Sequence, residues 1–462
     1  MFTQRSKSKS VSQSKSVNEL PLIETVEDRT LFATYVVTNT NDSGTGSLRA
    51  AITASNKHAG KDRITFSIGS GAKTITPLTQ LPQLTGAVAI DATTQPGHAK
   101  KPIIELNGTK AGGYGLTIRG GHSEVTGLVI NHFSSGILIV GGGYNTVAGN
   151  YIGTDISGYH AAGNSDKGII VQSNNNLIGG AGKYGRNVIS SNAKNGIQLY
   201  TSAAKGNIVA SNFIGTDADG AHALPNGSGI GITGGVSNVI GGRGTSQRNV
   251  ISGNSFDGVV VNNGGQHNAI SGNYIGTTYS GSSKLGNGNY GVEISDASNV
   301  VGGARQGQGN VISGNAYSGI ALWLSSAHDN VVLGNYIGTD ASGKKALGNA
   351  WSGIDVTSGA TNNTIGGTRT GAGNLISGNV QSGVKQYLGG NNVYVGNTLG
   401  FNAKRSAALA NGHDGIQFVY THGGTVVKNY IGNNAASAVA KIGSSNVTLG
   451  KNTIVNDTLY GF

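Results

Sequence analysis

The sequence predicts an all-β solenoid, a parallel β-helix of short strands with a short N-terminal capping helix. Two repeated motifs carry this prediction. The motif Asn-Tyr-Ile-Gly-Thr-Asp begins at Asn150 and returns, with small changes, at Asn212, Asn273 and Asn335, a period of 61 or 62 residues. The motif Asn-Val-Ile-Ser-Gly-Asn recurs with the same period. Self-similarity at a fixed period is typical of repeat architectures.

A second pattern divides each period into two turns. Its mark is a glycine followed by an apolar residue, any residue and another apolar residue. It begins at Gly136, Gly168, Gly196, Gly229, Gly258, Gly291, Gly319, Gly353, Gly383 and Gly415. The gaps between these glycines alternate between 28–30 and 32–34 residues, so every second turn carries extra loop residues. We expect the first and third residues after each glycine to face the core, and the second and fourth to face outward.

The composition fits one elongated solenoid. The chain has 462 residues, 79 of them glycine, with no cysteine and a net charge of +11. The absence of cysteine excludes a disulfide framework and a thiolate site. The basic charge favours acidic partners such as anionic glycans, anionic surfaces or nucleic acid. The alternative interpretation is that the charge only keeps the protein soluble. No apolar run approaches the ~18 residues of a membrane span.

Three parts of the chain are expected. Residues 1–33 form a Ser/Lys-rich segment that cannot bury a core and is predicted to be disordered. Residues 34–110 form an N-terminal cap and the first coils, and residues 111–462 form the regular repeats. Ser47 is predicted to N-cap an amphipathic helix that runs to about Asn56 and covers the apolar end of the solenoid.

Short apolar or alternating segments between turn residues predict the strands of the first coils. They lie at 35–38, 64–68, 74–76, 87–90, 103–106 and 116–118. In a parallel β-helix, Ile and Val stack in the interior, and Asn side chains bond along the axis as a ladder. A helix bundle is excluded because no segment keeps a 3.6-residue apolar period. A β-propeller fits less well because its blades repeat at about 40–50 residues.

Several segments resemble bacterial right-handed parallel β-helix repeat proteins. They are the stretch that begins Val36-Val-Thr-Asn-Thr-Asn-Asp-Ser-Gly, then Ile90-Asp-Ala-Thr-Thr-Gln-Pro-Gly, then Ile104-Glu-Leu-Asn-Gly, and the two repeated motifs. The similarity covers residues 36 to about 455. Residues 26–32 are also similar to the segment that precedes such domains in extracellular proteins of planctomycete-type bacteria.

This resemblance implies a right-handed coil and an extracellular or cell-surface location. It does not imply one activity, because the family mixes surface proteins with polysaccharide lyases, hydrolases and epimerases. The enzymes of the family carry tight clusters of Asp, His, Arg or Lys on neighbouring coils. This sequence has no Asn-Thr-Asp, Gly-His-Gly or Asp-Pro-His-Asp motif.

Most polar motifs have a structural interpretation. Asp155, Asp217 and Asp340 end copies of the first motif, where an Asx turn is expected, since one carboxylate per repeat is too sparse for Ca²⁺. The Gly-Gly pairs that precede the second motif are interpreted as turns, because neither a Lys-Ser/Thr pair nor a helix follows them. The His413–Asp414 pair is interpreted as a solvated turn. No metal site and no cofactor are predicted.

The outward positions from residue 293 onward gain side chains suited to carbohydrate chemistry. Glu293, Asp355 and Lys385 are the candidate catalytic residues. Glu293 and Asp355 lie two turns apart, hence ~9–10 Å by strand spacing. That separation is at the upper edge of the ~6.5–9.5 Å range for inverting glycoside hydrolysis. Lys385 lies one turn beyond Asp355, and the structural interpretation of those two is a surface ion pair.

The candidate substrate-binding residues are outward aromatic or amide side chains, namely Trp323, Tyr387, Gln417 and Tyr200. The sequence thus predicts an extracytoplasmic surface or matrix protein that binds polysaccharide or cell-surface glycan, neutral or anionic. The alternative is a glycoside hydrolase or lyase that acts along the same face. Nucleic-acid binding is not predicted, because the aromatic residues are not interleaved with Lys or Arg. The oligomeric state stays open.

Overall fold

The computed structural model describes residues 32–182 and 185–462. Two sequence predictions concern residues before this part, namely the disorder of residues 1–33 and the similarity of residues 26–32. Apart from their last residues, both segments lie outside the described part. Within it the chain is a right-handed parallel β-helix built of three parallel sheets. Right-handedness is the rule for parallel strands joined by crossovers, because it lets a twisted strand pack back onto its sheet.

Each regular coil gives one strand to each sheet. The first sheet contains Thr34–Val37, Asp62–Phe66, Val88–Asp91, Glu124–Thr126, Thr146–Ala148, Leu177–Gly179, Ile208–Ala210, Val239–Gly241, Ala269–Ser271, Val300–Gly302, Val331–Leu333, Thr364–Gly366, Val393–Val395, His422–Val427 and Ser445–Leu449. The second contains Lys73–Ile75, Ile104–Asn107, Leu128–Asn131, Tyr151–Ile152, Val188–Ile189, Phe213–Ile214, Val250–Ile251, Tyr274–Ile275, Val311–Ile312, Tyr336–Ile337, Leu375–Ile376, Thr398–Leu399, Tyr430–Gly432 and Thr453–Val455. The third contains Tyr114–Ile118, Ser135–Val140, Ile169–Gln172, Ile197–Tyr200, Ile230–Thr233, Val259–Asn262, Val292–Ile294, Ile320–Trp323, Ile354–Thr357, Val384–Tyr387, Ile416–Val419, Ser437–Ile442 and Thr458–Tyr460.

The predicted capping helix is confirmed as Leu48–Ser55. The Ser47 hydroxyl accepts a hydrogen bond from the Ala50 amide at 3.2 Å, which satisfies one of the free N–H groups of the first turn. Leu48 and Ile52 are buried against the first coil. Two 3₁₀ turns, Ala92–Thr94 and Thr245–Gln247, complete the helical elements of the described residues. None of these helices is long and apolar enough to cross a membrane.

The inward assignment after each glycine is confirmed. Ile320 and Leu322 are fully buried, and the first and third positions of the other coils stack on them in register. One inward position is polar, since Gln386 occupies the third place of its strand. Its Oε1 accepts a hydrogen bond from the buried Tyr394 hydroxyl at 2.6 Å, so both polar groups are satisfied inside the core.

Asparagine ladders run along all three corners of the coil, as the stacking of repeated Asn residues predicts. The ladder between the first and second sheets contains Asn150, Asn187, Asn212, Asn249, Asn273, Asn310, Asn335, Asn374, Asn397, Asn429 and Asn452. The ladder between the second and third sheets contains Asn164, Asn192, Asn226, Asn254, Asn287, Asn315, Asn349, Asn379, Asn411 and Asn434. The ladder between the third and first sheets contains Asn145, Asn176, Asn207, Asn238, Asn268, Asn299, Asn330, Asn363 and Asn392.

Asn335 shows what each rung contributes. Its Nδ2 donates to Asn374 Oδ1 at 3.0 Å and to the Val301 carbonyl at 2.9 Å. Its Oδ1 accepts from both the backbone amide and the Nδ2 of Asn310, at 3.1 and 2.9 Å. One buried side chain therefore satisfies polar groups on the coils before and after it, which ties neighbouring coils together at a bend.

The glycine that marks each third-sheet strand is required by close approach. A Cβ on Gly291 would lie 2.6 Å from the Gly319 carbonyl and 2.8 Å from Asn315 Nδ2. Both atoms belong to the next coil, and neither can move without disturbing the ladder. The repeated glycine thus lets the chain enter the third sheet beside the ladder amide.

Two sets of loops alternate along the coil. The first-corner loops join the first and second sheets. Their described residues are 180–182 and 185–186 in the first loop, then 242–248, 303–309 and 367–373 in the others. The second-corner loops follow the second sheet at 155–161, 217–223, 278–284, 340–346 and 402–408, and each is closed by a short antiparallel bridge. The longer turns hold the second-corner loops, as expected. The Asx turn is also observed, since Asp155 Oδ1 accepts amide hydrogen bonds from Gly158 and Tyr159.

Replacement of Asn335 by Ala is expected to lower the free energy of unfolding by about 2–4 kcal/mol, because buried polar groups on two neighbouring coils lose their partner. The matched control is Asn174→Ala at an exposed position, where the change is expected to stay below about 0.5 kcal/mol. Urea unfolding followed by far-UV circular dichroism measures both variants. Equal effects would show that the ladder does not contribute specifically to stability.

Candidate functional site

The outer column of the third sheet brings the candidate catalytic residues into line. Glu293, Ala321, Asp355, Lys385 and Gln417 are successive partners in the parallel register. Glu293 and Asp355 are therefore separated by two strand spacings, with Ala321 between them. These second positions lie on the outer side of the sheet, as expected, but they are not all open to solvent. Ala321 is only 1% exposed and Asp355 only 8%.

Asp355 is a buried carboxylate with an incomplete set of partners. The Ser318 hydroxyl donates to its Oδ2 at 2.5 Å, whereas its Oδ1 is buried without a hydrogen-bond partner. Burial raises the pKa of Asp355, while the Ser318 hydrogen bond, the nearby Ser352 hydroxyl and the charge of Lys385 oppose that rise. The buried Oδ1 marks a place where a proton or a donor group would be stabilised.

The surface ion pair between Asp355 and Lys385 is not formed. Lys385 Nζ lies 5.7 Å from the centroid of the Trp351 ring instead, within the range of a cation–π contact. The ammonium group thus sits at the edge of an aromatic surface, where it can meet a ligand. Lys385 is half-buried, and Trp351 is 38% exposed.

Glu293 belongs to a second carboxylate pair that sequence reasoning missed. Its side chain is half-buried, and burial followed by the charge of Asp257 raises its pKa to about 7. Asp257 is itself buried, and its pKa is also raised by burial. Its Oδ1 accepts hydrogen bonds from the Asn289 side-chain amide at 2.8 Å and from the Tyr290 backbone amide at 3.1 Å.

Tyr290 stands among these acids. Burial raises the pKa of its hydroxyl to about 12, and the charges of Asp355, Glu293 and Asp257 add to the rise. The charges of three carboxylates from three different coils therefore act on one tyrosine. Asp257 and Tyr290 occupy the position just before the marker glycine. The pattern of outward residues starts after the glycine and therefore does not include that position.

Aromatic side chains form a ledge along the corner beside this cluster. We define the ledge as Phe256, Tyr290, Tyr317 and Trp351. Tyr290 and Tyr317 make an edge-to-face contact with centroids 5.3 Å apart, and Tyr317 and Trp351 are stacked at 5.7 Å. Phe256, Tyr317 and Trp351 remain substantially exposed. Their common place, one or two residues before the marker glycine, is a signal that the sequence contained.

A second aromatic edge follows the opposite side of the same sheet. Trp323 and Tyr387 are 41% and 40% exposed, and Tyr420 is more exposed still. Trp323 Nε1 donates to Ser358 Oγ at 3.0 Å, which fixes the orientation of the indole ring. Tyr387 and Tyr420 make an edge-to-face contact at 6.4 Å. The predicted residues Trp323 and Tyr387 thus lie on one edge, across the carboxylate column from the ledge.

Gln417 and Tyr200 are placed differently from expectation. Gln417 Nε2 donates to Asp414 Oδ2 at 2.9 Å, and His413 Nδ1 lies 2.8 Å from the same oxygen. Asp414 is buried, so the His413–Asp414 pair is not simply a solvated turn. Tyr200 is exposed but four coils before Trp323 in the same column, beside a separate shallow depression with Thr233. It does not join the cluster.

The arrangement combines proton-donating groups with stacking surfaces. A carboxyl group with a pKa near 7 can hold or release a proton at neutral pH, and exposed aromatic rings can pack against the C–H faces of a sugar. Among residues 32–182 and 185–462, no group of three or more His, Cys, Asp or Glu side chains is arranged to hold a metal ion.

Comparison with known proteins gives likenesses among solved structures only. No protein-family model matches the chain, and no curated protein sequence matches it. The periplasmic alginate epimerase AlgG is 13% identical, with a TM-score of 0.47, over 86% of this chain and 77% of that chain. The A-module of the Azotobacter vinelandii mannuronan C-5 epimerase AlgE4 is 15% identical, with a TM-score of 0.43, over 93% and 97%. The catalytic unit of the GH87 alpha-1,3-glucanase of Streptomyces thermodiastaticus strain HF3-3 is 11% identical, with a TM-score of 0.42, over 93% and 70%. These likenesses carry no argument about what this chain binds or catalyses.

The raised pKa of Glu293 predicts a specific pH dependence of stability. The folded state holds the Glu293 proton more tightly than the unfolded state. The stabilising contribution of this proton is therefore fully present below the unfolded pKa of about 4.5 and is lost as the pH rises to about 7. Glu293→Gln removes this loss. The variant should therefore gain thermal stability relative to the parent between pH 4.5 and 7 and keep that gain above pH 7.

Thermal midpoints of the parent and the variant across pH 4–8 measure this difference. The control is Glu124→Gln, which changes an exposed carboxylate paired with Lys61. It is expected to leave the shape of the profile unchanged. Parallel profiles for the parent and Glu293→Gln would contradict the assignment of a proton to Glu293 near neutral pH.

Proposed function

We propose that this protein is an extracytoplasmic surface or matrix β-helix that binds polysaccharide on the outer face of its third sheet. One observation carries the proposal. Exposed aromatic rings follow both edges of that face over several coils, with the ledge on one side and Trp323 and Tyr387 on the other. Soluble proteins rarely expose so many large aromatic residues in line without a ligand.

The geometry suits an extended sugar chain rather than a small molecule. The aromatic rows run along the solenoid axis, and strands repeat every ~4.8 Å, so a ligand can contact several coils at once. Pyranose rings offer apolar C–H faces to aromatic rings and hydroxyl groups to the polar column between the rows. Lys385 Nζ, over the Trp351 ring, can donate hydrogen bonds to sugar hydroxyl groups.

A second candidate function is supported by the acids. Glu293, with a pKa of about 7, and Asp355, with a raised pKa, suit a polysaccharide hydrolase or lyase in which one group donates a proton and another accepts it. Asp355 is almost fully buried, however, and a sugar would have to reach it past Ser318 and the ledge. Binding is therefore the function that the geometry supports best.

Replacement of Trp351 by Ala, or of Trp323 by Ala, is expected to weaken the binding of neutral polysaccharides by roughly ten- to a hundredfold, since a large aromatic contact contributes about 1–3 kcal/mol. The control is Tyr279→Ala, which removes a more exposed ring from a second-corner loop. It should bind as the parent does. Titration calorimetry with a panel of neutral and acidic polysaccharides measures all four proteins.

The same panel separates the two functions when new reducing or unsaturated ends are assayed. Binding without new ends supports a binding protein. If the parent produces new chain ends, and Glu293→Gln and Asp355→Asn abolish them without abolishing binding, the protein is a polysaccharide-cleaving enzyme instead. If both Trp variants bind every ligand as the parent does, the third-sheet face is not the site.

A further inference from the structure

The outer face of the second sheet forms a groove of its own. Its floor is an apolar column in which aliphatic and aromatic residues alternate, including Val188, Phe213, Val250, Tyr274, Val311 and Tyr336. The first-corner loops line one side. The second-corner loops line the other, where Ala218 and Ala341 pack against the floor. The groove thus follows the solenoid axis between two rows of loops.

In its C-terminal half the groove opens into two cavities. A cavity of about 700 Å³ is lined by Arg248, Arg305, Tyr274 and Tyr336, among others. A second cavity of about 360 Å³, lined by Arg369, Arg405 and Lys428, shares Gly371, Gly373 and Thr398 with the first. The two cavities are therefore one continuous depression across several coils.

This depression is basic throughout. Five cationic residues line its two cavities, namely Arg248, Arg305, Arg369, Arg405 and Lys428, and no Asp or Glu lines either one. Within the described part of the chain, none of the five forms an ion pair with a carboxylate. Asp340, which precedes the lining residue Ala341, is buried and accepts hydrogen bonds from the Lys344 and Lys345 amides within its own turn. The positive field of the groove is thus uncompensated.

Three arginines are held in place over aromatic rings of the floor. The Arg248 guanidinium lies 4.0 Å from the Tyr274 centroid, and its Nε donates to the Gly272 carbonyl at 3.3 Å. Arg186 stacks on Phe213 at 4.1 Å and Arg405 on Tyr430 at 4.6 Å. A guanidinium fixed in this way loses little freedom when it binds a carboxylate or sulfate.

These contacts correct one premise of the sequence analysis. Arg residues are interleaved with aromatic residues on this face. The sequence does not show this directly, because the two members of each stacked pair lie on neighbouring coils, about 26 residues apart. The arrangement still does not favour nucleic acid. Arginine guanidinium groups lie over the rings of Phe213, Tyr274 and Tyr430, so these three rings offer no free face on which a base could stack.

The cations also repeat along the groove. Arg186 and Arg248 precede Asn187 and Asn249, which are two rungs apart in one ladder, hence about 9.6 Å apart along the axis. Arg305 and Arg369 lie in the first-corner loops of the next two repeats, with the same two-coil interval. This interval is comparable with the disaccharide repeat of an extended polysaccharide. It suits a chain with acidic groups at regular distances.

We propose that this groove binds a linear acidic polysaccharide, with carboxylate or sulfate groups on the arginine row. The site is separate from the aromatic face of the third sheet and does not depend on the function proposed there. One molecule could then hold two glycan chains on different faces.

The test compares two triple variants that remove the same charge. Arg305→Gln/Arg369→Gln/Lys428→Gln neutralises exposed cations of the groove that take no part in the stacked pairs. Lys57→Gln/Lys110→Gln/Lys205→Gln neutralises exposed lysines elsewhere. Binding of polygalacturonate, dextran sulfate and neutral dextran is measured by calorimetry at low and raised salt, after circular dichroism has shown that both variants fold.

The groove variant is expected to lose about tenfold or more in affinity for polygalacturonate, dextran sulfate or both, with a weaker salt dependence, whereas the control loses less than about twofold. Trp351→Ala should leave this binding unchanged. Equal losses in both triple variants would overturn the proposal in favour of general charge. Loss with Trp351→Ala would place the acidic chain on the third sheet. Binding of oligo(dT) as tight as that of the acidic glycans, and equally lost in the groove variant, would make the groove a nucleic-acid site instead.

Discussion

The ladders of buried asparagine amides are the constraint on which the rest of this molecule depends. A coil with three sheets must bend three times per turn, and each bend takes backbone groups out of strand pairing. The side chain of Asn335 donates to both neighbouring coils and accepts from the preceding one, and most of its equivalents at the three corners make similar bonds. The ladders fix the register of all three sheets, so each outer column is a defined row of side chains.

That register places residues about 30 positions apart side by side, which is why the position of the candidate site could be predicted. Glu293, Asp355 and Lys385 fall in one column because they hold the same place after their glycines. Their burial could not be predicted in the same way. Residues in the turns before the strands also act on this column, since Ser318 donates to Asp355 and the charge of Asp257 acts on Glu293 and Tyr290.

The fold itself was largely predictable because its signals are local and repeated. The glycine mark and the Asn motifs reflect steric and hydrogen-bonding needs that recur at the same place on every coil, and the Ser47 cap reflects a need met within one helix. The basic groove was not predictable, because Arg248 and Tyr274 belong to different motifs and meet only when the coils stack. Several of these arginines reach the groove from the first-corner loops. The backbone turns that set the path of those loops are not specified by composition.

The alternation of first-corner and second-corner loops has a consequence for how such a molecule can lengthen. An inserted or deleted pair of coils would preserve the ladders, the loop order and the spacing of both faces. A single inserted coil would also preserve the ladders, but it would bring two loops of the same kind next to each other and shift all later arginines by one strand. Selection that acts on these surfaces would then favour duplication in units of two coils, and the 62-residue period of the sequence is the size of that unit.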